Sequence, residues 1–299
     1  MTNALGTDLS KWQDNNSTPQ MVDFSKMVAG GVSFTAVKTS QGTWADPDYA
    51  LNWIHARQAA LPRFGYHYLD WRYGPATQGN FFAGMLKADP GEISPVADYE
   101  MRSYNPGRAR ALANLKIFID AAEQGLGREL MIYTSPSFWR EFGSPDDPFF
   151  AARKLWIANY YVSKPDIPLP WTHWTFWQFT DLGDGLTLGA ESKELDMNYF
   201  NGTVEEMRAL FNIVPPQTTP IPVPLPEPAP AGLVLTVSAE TLNLRDGPGI
   251  NFRDKGDLHK GEKFIVTGIA GSQAWAFGHT VDGREGWAAV QINSTRYMV

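Results

Sequence analysis

From Leu5 to about residue 200 the chain alternates short apolar runs with longer amphipathic stretches, the pattern of successive parallel βα units. Strands are predicted at Leu5 to Leu9, Phe34 to Lys38, Arg63 to Leu69, Pro95 to Glu100, Leu130 to Thr134, Leu155 to Asn159, Thr175 to Phe179 and Glu194 to Asn198. In the third of these, Tyr66 and Tyr68 fall on one side and Gly65 and His67 on the other. Asp46 and Pro47 supply an N-cap and a first-turn proline for a helix through Ala60, and a weaker helix runs from Ala76 to Ala88. Leu112, Leu115, Ile119 and Ala122 recur at helical spacing before Gly125 and Gly127 offer C-terminal stops. The last three strands are separated by segments with little helical pattern. The pattern therefore predicts an α/β fold, an irregular (β/α) barrel with eight strands and fewer than eight helices.

Past Val214 the composition changes abruptly. Residues 215–232 are dominated by proline and read as a semi-rigid, polyproline-II-like linker. From Leu233 short β-like runs alternate with turn clusters: Thr241 to Arg245, the turn Asp246-Gly247-Pro248-Gly249, Lys263 to Thr267, Trp275 to His279 and Gly286 to Val290. The expected organisation is a catalytic-size barrel over 1–214, a linker over 215–232 and a small all-β barrel over 233–299.

Composition narrows the function. The formal charge of −7 argues against a nucleic-acid binder, which needs a basic face. Residues 233–299 hold seven Lys and Arg against seven Asp and Glu, so the acidity belongs to the first 232 residues. With no cysteine there is no disulfide, thiolate metal site or cysteine nucleophile. No apolar stretch approaches a membrane span, and the first residues have neither a basic nor an apolar signal region, so the expectation is synthesis in the cytoplasm without a standard export signal. The 11 Trp, 11 Tyr and 17 Phe suit both a barrel core and a sugar-binding cleft.

The densest candidate chemistry is Asp98-Tyr99-Glu100 at the end of the fourth strand. Strand alternation points both carboxyls the same way, with α-carbons roughly 6.6 Å apart, so the two cannot both ionise freely. In a barrel of this class chemistry sits at strand carboxyl ends, where Asp8, Lys38, His67, Asp98, Glu100, Tyr133, Asn159, Gln178 and Asp196 all fall. Lys38 either pairs with a cleft carboxylate or caps its strand, and His67 is either structural or a substrate contact. Trp12 and Trp71 either stack on sugar or pack in the barrel. The histidines at 55, 67, 173, 259 and 279 show no metal-ligand spacing, and no metal or cofactor is expected.

The first 214 residues resemble glycoside hydrolase family 25, the muramidases that cut bacterial peptidoglycan. The resemblance is carried in order by Gly6-Thr7-Asp8-Leu9-Ser10-Lys11-Trp12-Gln13, Val37-Lys38-Thr39-Ser40, Gly65-Tyr66-His67-Tyr68, Ala97-Asp98-Tyr99-Glu100, Ile132-Tyr133-Thr134-Ser135, Leu155-Trp156-Ile157-Ala158, Trp177-Gln178-Phe179 and Leu195-Asp196-Met197-Asn198. The tail resembles a bacterial SH3-like wall-binding domain through Leu242-Asn243-Leu244-Arg245-Asp246-Gly247-Pro248-Gly249 and Gly286-Trp287. Departures are modest: Thr7 and Leu9 stand where Ile and Val are more usual, and Phe179 where Tyr is common.

The resemblance implies an N-acetylmuramidase hydrolysing the β-1,4 bond between N-acetylmuramic acid and N-acetylglucosamine. Glu100 would be the general acid, and Asp98 its partner, orienting the substrate's own 2-acetamido group for attack on the anomeric carbon. Asp8 and Asp196 match the other two acids of the cleft, and Tyr66, Tyr133 and Trp177 match aromatics that line it. With the strand-end residues Gln178, Lys38 and His67 these complete the expected substrate-binding set. The implied partner is bacterial peptidoglycan, its glycan in the cleft and a wall component on the SH3-like domain, with no nucleic acid, membrane span or protein partner. The i, i+2 spacing by itself leaves the stereochemical outcome open, since retaining, inverting and substrate-assisted geometries are all compatible with it. A muramidase with a wall-binding tail and no export signal points to a phage or prophage endolysin, with a secreted autolysin as the competitor. A wall-adhesion protein on an inactive barrel and a chitinase on the same fold are the other classes.

Overall fold

The protein is described by a computed structural model that covers residues 2–14, 22–214, 234–247, 252–270, 275–292, 295–296 and 298. The linker expected over 215–232, and Pro248 and Gly249 of the expected turn, lie outside the described residues. The chain divides into two compact units, Met1–Pro216 and Gln217–Val299.

The first unit runs β1 (Leu5–Leu9), α1 (Phe24–Ala29), β2 (Val32–Gln41), β3 (Trp44–Ala45), α2 (Tyr49–Gln58), β4 (Arg63–Tyr68), α3 (Pro75–Leu86), β5 (Val96–Asp98), α4 (Arg108–Leu126), β6 (Met131–Thr134), α5 (Pro136–Phe142), α6 (Pro148–Ala151), β7 (Leu155–Ala158), β8 (Phe176–Asp184), β9 (Glu194–Phe200) and α7 (Val204–Leu210). The strand order β1-β9-β8-β7-β6-β5-β4-β2 is closed by β1 pairing with β2, which gives an eight-stranded barrel, and β3 is a two-residue flap on β2. No helix intervenes between β7 and β8 or between β8 and β9, as the weak periodicity there predicted.

Two expectations need correction. The pattern suggested parallel units throughout, but β9 runs antiparallel to both β8 and β1. The β8–β9 connection is short and carries no helix that could return the chain, so the pair forms a hairpin. Asp196 therefore lies near the amino end of its strand, yet on the same rim as the carboxyl ends of the others, directly opposite Asp8. The helix expected from Asp46 begins at Tyr49 instead, because the buried Asp46 carboxylate is taken by the backbone N–H groups of Lys11 and Asp48.

Strand alternation sorts every side chain to one of two cores. Inward, Phe34, Phe64, Val96, Met131, Phe176 and Phe200 close the barrel floor. Gly6 belongs to the same inward row as Asp8, and a Cβ there would sit 2.3 Å from the Phe34 ring, so only glycine lets that ring fill the floor. Outward, Ala97, Tyr99, Ile132, Leu155 and Ile157 pack beneath the apolar stripe of α4, whose Ala111, Leu115, Phe118, Ile119 and Ala122 are all fully buried. Helix ends are fixed locally: Asp23 caps α1, Ser135 and Pro136 open α5, Thr203 and Glu206 form a capping box on α7, and Gly127 ends α4 at φ 66°.

The described residues of the second unit are all β. Strands β10 (Val234–Thr236), β11 (Thr241–Arg245), β12 (Asp254–His259), β13 (Lys263–Ala270), β14 (Trp275–Thr280) and β15 (Glu285–Ala289) form a sheet in the order β10-β13-β14-β15-β11-β12. All its pairings are antiparallel, around a core that includes Leu244, Leu258, Phe264 and Trp275. A further pair, β16 (Gln291–Ile292) and β17 (Thr295–Arg296), lies apart from it. Among the described residues no helix is long and apolar enough to cross a membrane.

Phe176 is the hub of the barrel floor, with ring centroids 5.0 Å from Phe34, 5.2 Å from Phe64, 5.4 Å from Phe200 and 5.9 Å from Phe211. Phe176→Ala should destabilise the first unit by about 3–5 kcal/mol through lost burial and a residual cavity. Urea unfolding followed by tryptophan fluorescence checks this, and a loss under about 1 kcal/mol would mean that the floor collapses around the gap.

Candidate active site

Above the aromatic floor the inward row turns polar. Asp8 and Ser10 on or just after β1, Lys38 on β2, Tyr66 and Tyr68 on β4, Asp98 and Glu100 at the end of β5, Tyr133 on β6, Trp156 on β7, Tyr160 after it, Gln178 on β8 and Asp196 on β9 line one cleft of about 240 Å³, with Trp12 at its edge. The alternation that turns Asp98 and Glu100 inward sends Tyr99 outward, where it is fully buried and donates its hydroxyl to the Phe142 carbonyl.

Among the acids of the cleft, Asp8 is the most heavily partnered. Its Oδ2 accepts 2.8 Å hydrogen bonds from Gln178 Nε2 and from Asn198 Nδ2. Gln178 Oε1 in turn accepts the hydroxyls of Tyr133 at 2.7 Å and Tyr160 at 2.8 Å, and Asn198 Oδ1 accepts Trp156 Nε1 at 2.8 Å. Asp196 completes the set with a carboxyl hydrogen bond to Asp8. Asp98 is treated differently: its Oδ1 is buried with no hydrogen-bond partner among the described residues. Lys38 is the cation among the lining residues, its Nζ 3.2 Å from Gln41 Oε1 and 4.9 Å from the centre of the Tyr68 ring.

Burial dominates the electrostatics. It pushes Asp8 up to about 6, against the opposing hydrogen bonds from Asn198, Gln178 and Asp196. Asp196 rises to about 8, through burial and then the charges of Asp8 and Asp181. Glu100 rises to about 7, through burial and the Asp8 charge, with Lys38 opposing. Asp98 lies well above the usual carboxylate range because it is buried beside Glu100, again with Lys38 opposing. Near neutral pH the cleft therefore holds ionised and protonated carboxyls side by side, the condition for acid catalysis by one of them.

Not every expected residue reaches the cleft. His67 is fully buried on the outer side of β4, its Nδ1 2.8 Å from Ser40 Oγ, its Nε2 3.1 Å from Gln78 Oε1, and its ring stacked on Phe118. Burial holds it down to about 4, and this structural position corrects the alternative of a substrate contact. Trp177 also points outward, its Nε1 donating 2.8 Å to the Asn159 carbonyl and its ring packed against Trp174, Phe179 and Tyr199. Both follow from parity, since each neighbours an inward residue, Tyr66 and Gln178 respectively. Asn159 serves its own loop, accepting the Asp166 N–H. Trp71 packs edge-on to Tyr99 and donates to the Met101 carbonyl, whereas Trp12 is 71% exposed. Sequence reasoning passed over Tyr68, Trp156, Tyr160 and Asn198. Asn198 was accessible by the rule that paired Asp98 with Glu100, since it stands two residues after Asp196 on an inward row.

An eight-stranded barrel whose mouth gathers four acids, some protonated and some ionised, among aromatic walls is the arrangement of a glycoside hydrolase. The chain belongs to that class through glycosyl hydrolases family 25, whose model matches residues 7–185. Lysozyme M1 of Streptomyces globisporus is 28% identical over 220 residues, 69% of this chain and 71% of that protein. The N,O-diacetylmuramidase of a Chalaropsis species is 27% identical over 219 residues, 69% of this chain and 97% of that one. Among solved structures, the bacterial lysozyme from Streptomyces coelicolor matches with a TM-score of 0.59 at 26% identity, over 71% of this chain and 98% of its own. The protein is thus a glycoside hydrolase of the lysozyme type, and peptidoglycan is its substrate.

The raised carboxyls set a pH dependence of stability. Each binds its proton more tightly in the folded protein than at its unfolded value of about 4, so the folded state holds more protons through the window from about 4 to about 8 and its stability falls as pH rises. The melting temperature should be lower at pH 8.5 than at pH 5. Asp196→Asn keeps a donor toward Asp8 without a titrating proton and should flatten that slope. Thermal melts by circular dichroism across the window check both, and a melting temperature that rises from pH 5 to 8.5 would contradict the burial argument.

Proposed function

We propose that the chain is an N-acetylmuramidase that hydrolyses the β-1,4 bond between N-acetylmuramic acid and N-acetylglucosamine, with Glu100 as general acid and the substrate's own 2-acetamido group as nucleophile. The observation that carries the reading is the pairing of Glu100, protonated up to about pH 7, with an Asp98 oxygen that is buried in the same cleft and has no hydrogen-bond partner among the described residues. Glu100 gives its proton to the glycosidic oxygen as that bond breaks, while the acetamido carbonyl oxygen bonds to the anomeric carbon. Asp98 accepts the acetamido N–H and steadies the oxazoline-like intermediate. Water then adds to the anomeric carbon, passes its proton to the Glu100 carboxylate and reopens the ring. Asp8 and Asp196 hold the charge balance of the cleft, and Tyr66, Tyr133, Gln178 and Lys38 stand along the path of the glycan.

The second unit we read as an SH3-like wall-binding domain that keeps the enzyme on its polymer. Its support is a small antiparallel β architecture and the Trp287 ring lying 5.2 Å from Phe277. A barrel that cuts the wall joined to a module that binds it suits a phage or prophage endolysin, made in the cytoplasm and acting at the bacterial wall after release.

Digestion of purified peptidoglycan with mass analysis of the products tests the reading. New reducing N-acetylmuramic acid is expected, with Glu100→Gln lowering the rate by about 10²-fold or more. A de-N-acetylated glycan should not be cleaved. New reducing N-acetylglucosamine, or full activity in Glu100→Gln, would overturn the assignment of bond or of acid, and efficient turnover of the de-N-acetylated glycan would remove the acetamido group from the mechanism.

A further inference from the structure

The hydrogen bonds beneath Asp8 form a directed tree. An amide side chain can present either its oxygen or its nitrogen to a carboxylate, and only the nitrogen end helps the charged form. Both amides here are locked the right way round. Tyr133 and Tyr160 donate to Gln178 Oε1 and leave Nε2 for Asp8, while Trp156, which can only donate, fixes Asn198 Oδ1 and leaves Nδ2 for the same oxygen of Asp8. Gln178, Asn198 and Trp156 are each at least 97% buried, so water does not stand in for these partners. Neither amide goes to Oδ1 of Asp8.

We propose that Asn198 and Gln178, oriented by Trp156 and by Tyr133 and Tyr160, are positioning residues that hold Asp8 as the fixed negative charge of the cleft, and that this charge keeps Glu100 in its acid form. On this view Tyr133 and Gln178 act from beneath the glycan path through Asp8, and Asn198, Tyr160 and Trp156 gain a role in the reaction. The consequence for Glu100 rests on its being the general acid; the brace on Asp8 does not.

Asp8 is faced from every side by groups that feel its charge. Lys38 stands on β2, Tyr66 on β4, Asp98 and Glu100 at the end of β5, Tyr133 on β6, Tyr160 after β7 and Asp196 on β9. Asp196 gives Asp8 its proton-bearing hydrogen bond, so the pair carries a single negative charge, placed on Asp8 by the two amides. Removing an amide donor weakens the ionised form of Asp8, lets the shared proton move to it and takes negative charge away from the side of the cleft that Glu100 feels.

The test compares wild type with Asn198→Leu and Tyr160→Phe in the full chain, by the pH dependence of kcat/KM on peptidoglycan fragments and by ¹³C-carboxyl NMR titration of Asp8 and Glu100. In Asn198→Leu the Asp8 titration should move up and that of Glu100 down by about half a unit or more, and the alkaline limb of the rate profile should shift to lower pH with it. Tyr160→Phe removes one hydroxyl of two on Gln178 and should shift both in the same directions by less. It is the milder change and serves if Asn198→Leu does not fold. A drop in kcat with both titrations unmoved would reduce the tree to packing and overturn the proposal. If Glu100→Gln retains activity, the acid assignment fails, while the Asp8 titration still decides the brace.

Discussion

A carboxylate taken out of water needs a partner or a proton, and among the described residues that line the mouth of this barrel four acids share one cation, Lys38. The rest of the site follows from that shortage. Asp8 is supplied with amide donors and ionises more readily than Asp196 and Glu100, which answer burial by holding protons to higher pH. Asp98 keeps an oxygen without a hydrogen-bond partner among the described residues. An unpartnered buried acceptor costs stability, on the order of 1–3 kcal/mol, and such costs concentrate where a ligand supplies the missing donor. The loss of stability with rising pH and the readiness of Glu100 to donate a proton are two results of the same desolvation.

The fold makes this crowding possible through parity and closure. The inward rows turn from apolar at the floor to polar at the rim, so a layer of phenylalanines supports the buried amides of Gln178 and Asn198 and the acids above them. Closure by the antiparallel β9 then sets Asp196 across from Asp8, an approach that a parallel eighth strand, with Asp196 displaced along it, would not give in this register. Gly6 gives up its side chain so that the Phe34 ring can lie directly beneath Asp8.

Much of this was legible in the sequence, and the gaps have physical causes. Strand positions followed from short apolar runs with clear breaks, and Asp8, Asp98, Glu100, Asp196, Tyr66, Tyr133, Lys38 and Gln178 line the cleft because strand ends converge in a barrel. Position along a strand says how near the rim a residue lies but not which way it faces. His67 was selected by height alone, and the alternation that already set it opposite Tyr66 excluded it, whereas Trp177 was implied by the family resemblance and is turned away by the same alternation that points Gln178 inward. Strand direction was not legible, because an antiparallel hairpin and a parallel unit with a short crossover share one hydrophobic pattern. Nor was the tree around Asp8, whose two amides lie 170 and 190 residues from it in the chain and meet it only on closure.

Burial, unrelieved by enough positive charge, leaves protons on the cleft acids Glu100 and Asp196 at neutral pH. Site-resolved ¹³C-carboxyl NMR titration of the unmutated protein addresses it without reference to substrate. Glu100 should titrate near about 7 and Asp196 near about 8, with Asp8 near about 6 and ionised before either. Titration of Glu100 and Asp196 close to about 4, the value of a solvated carboxyl, would contradict the account.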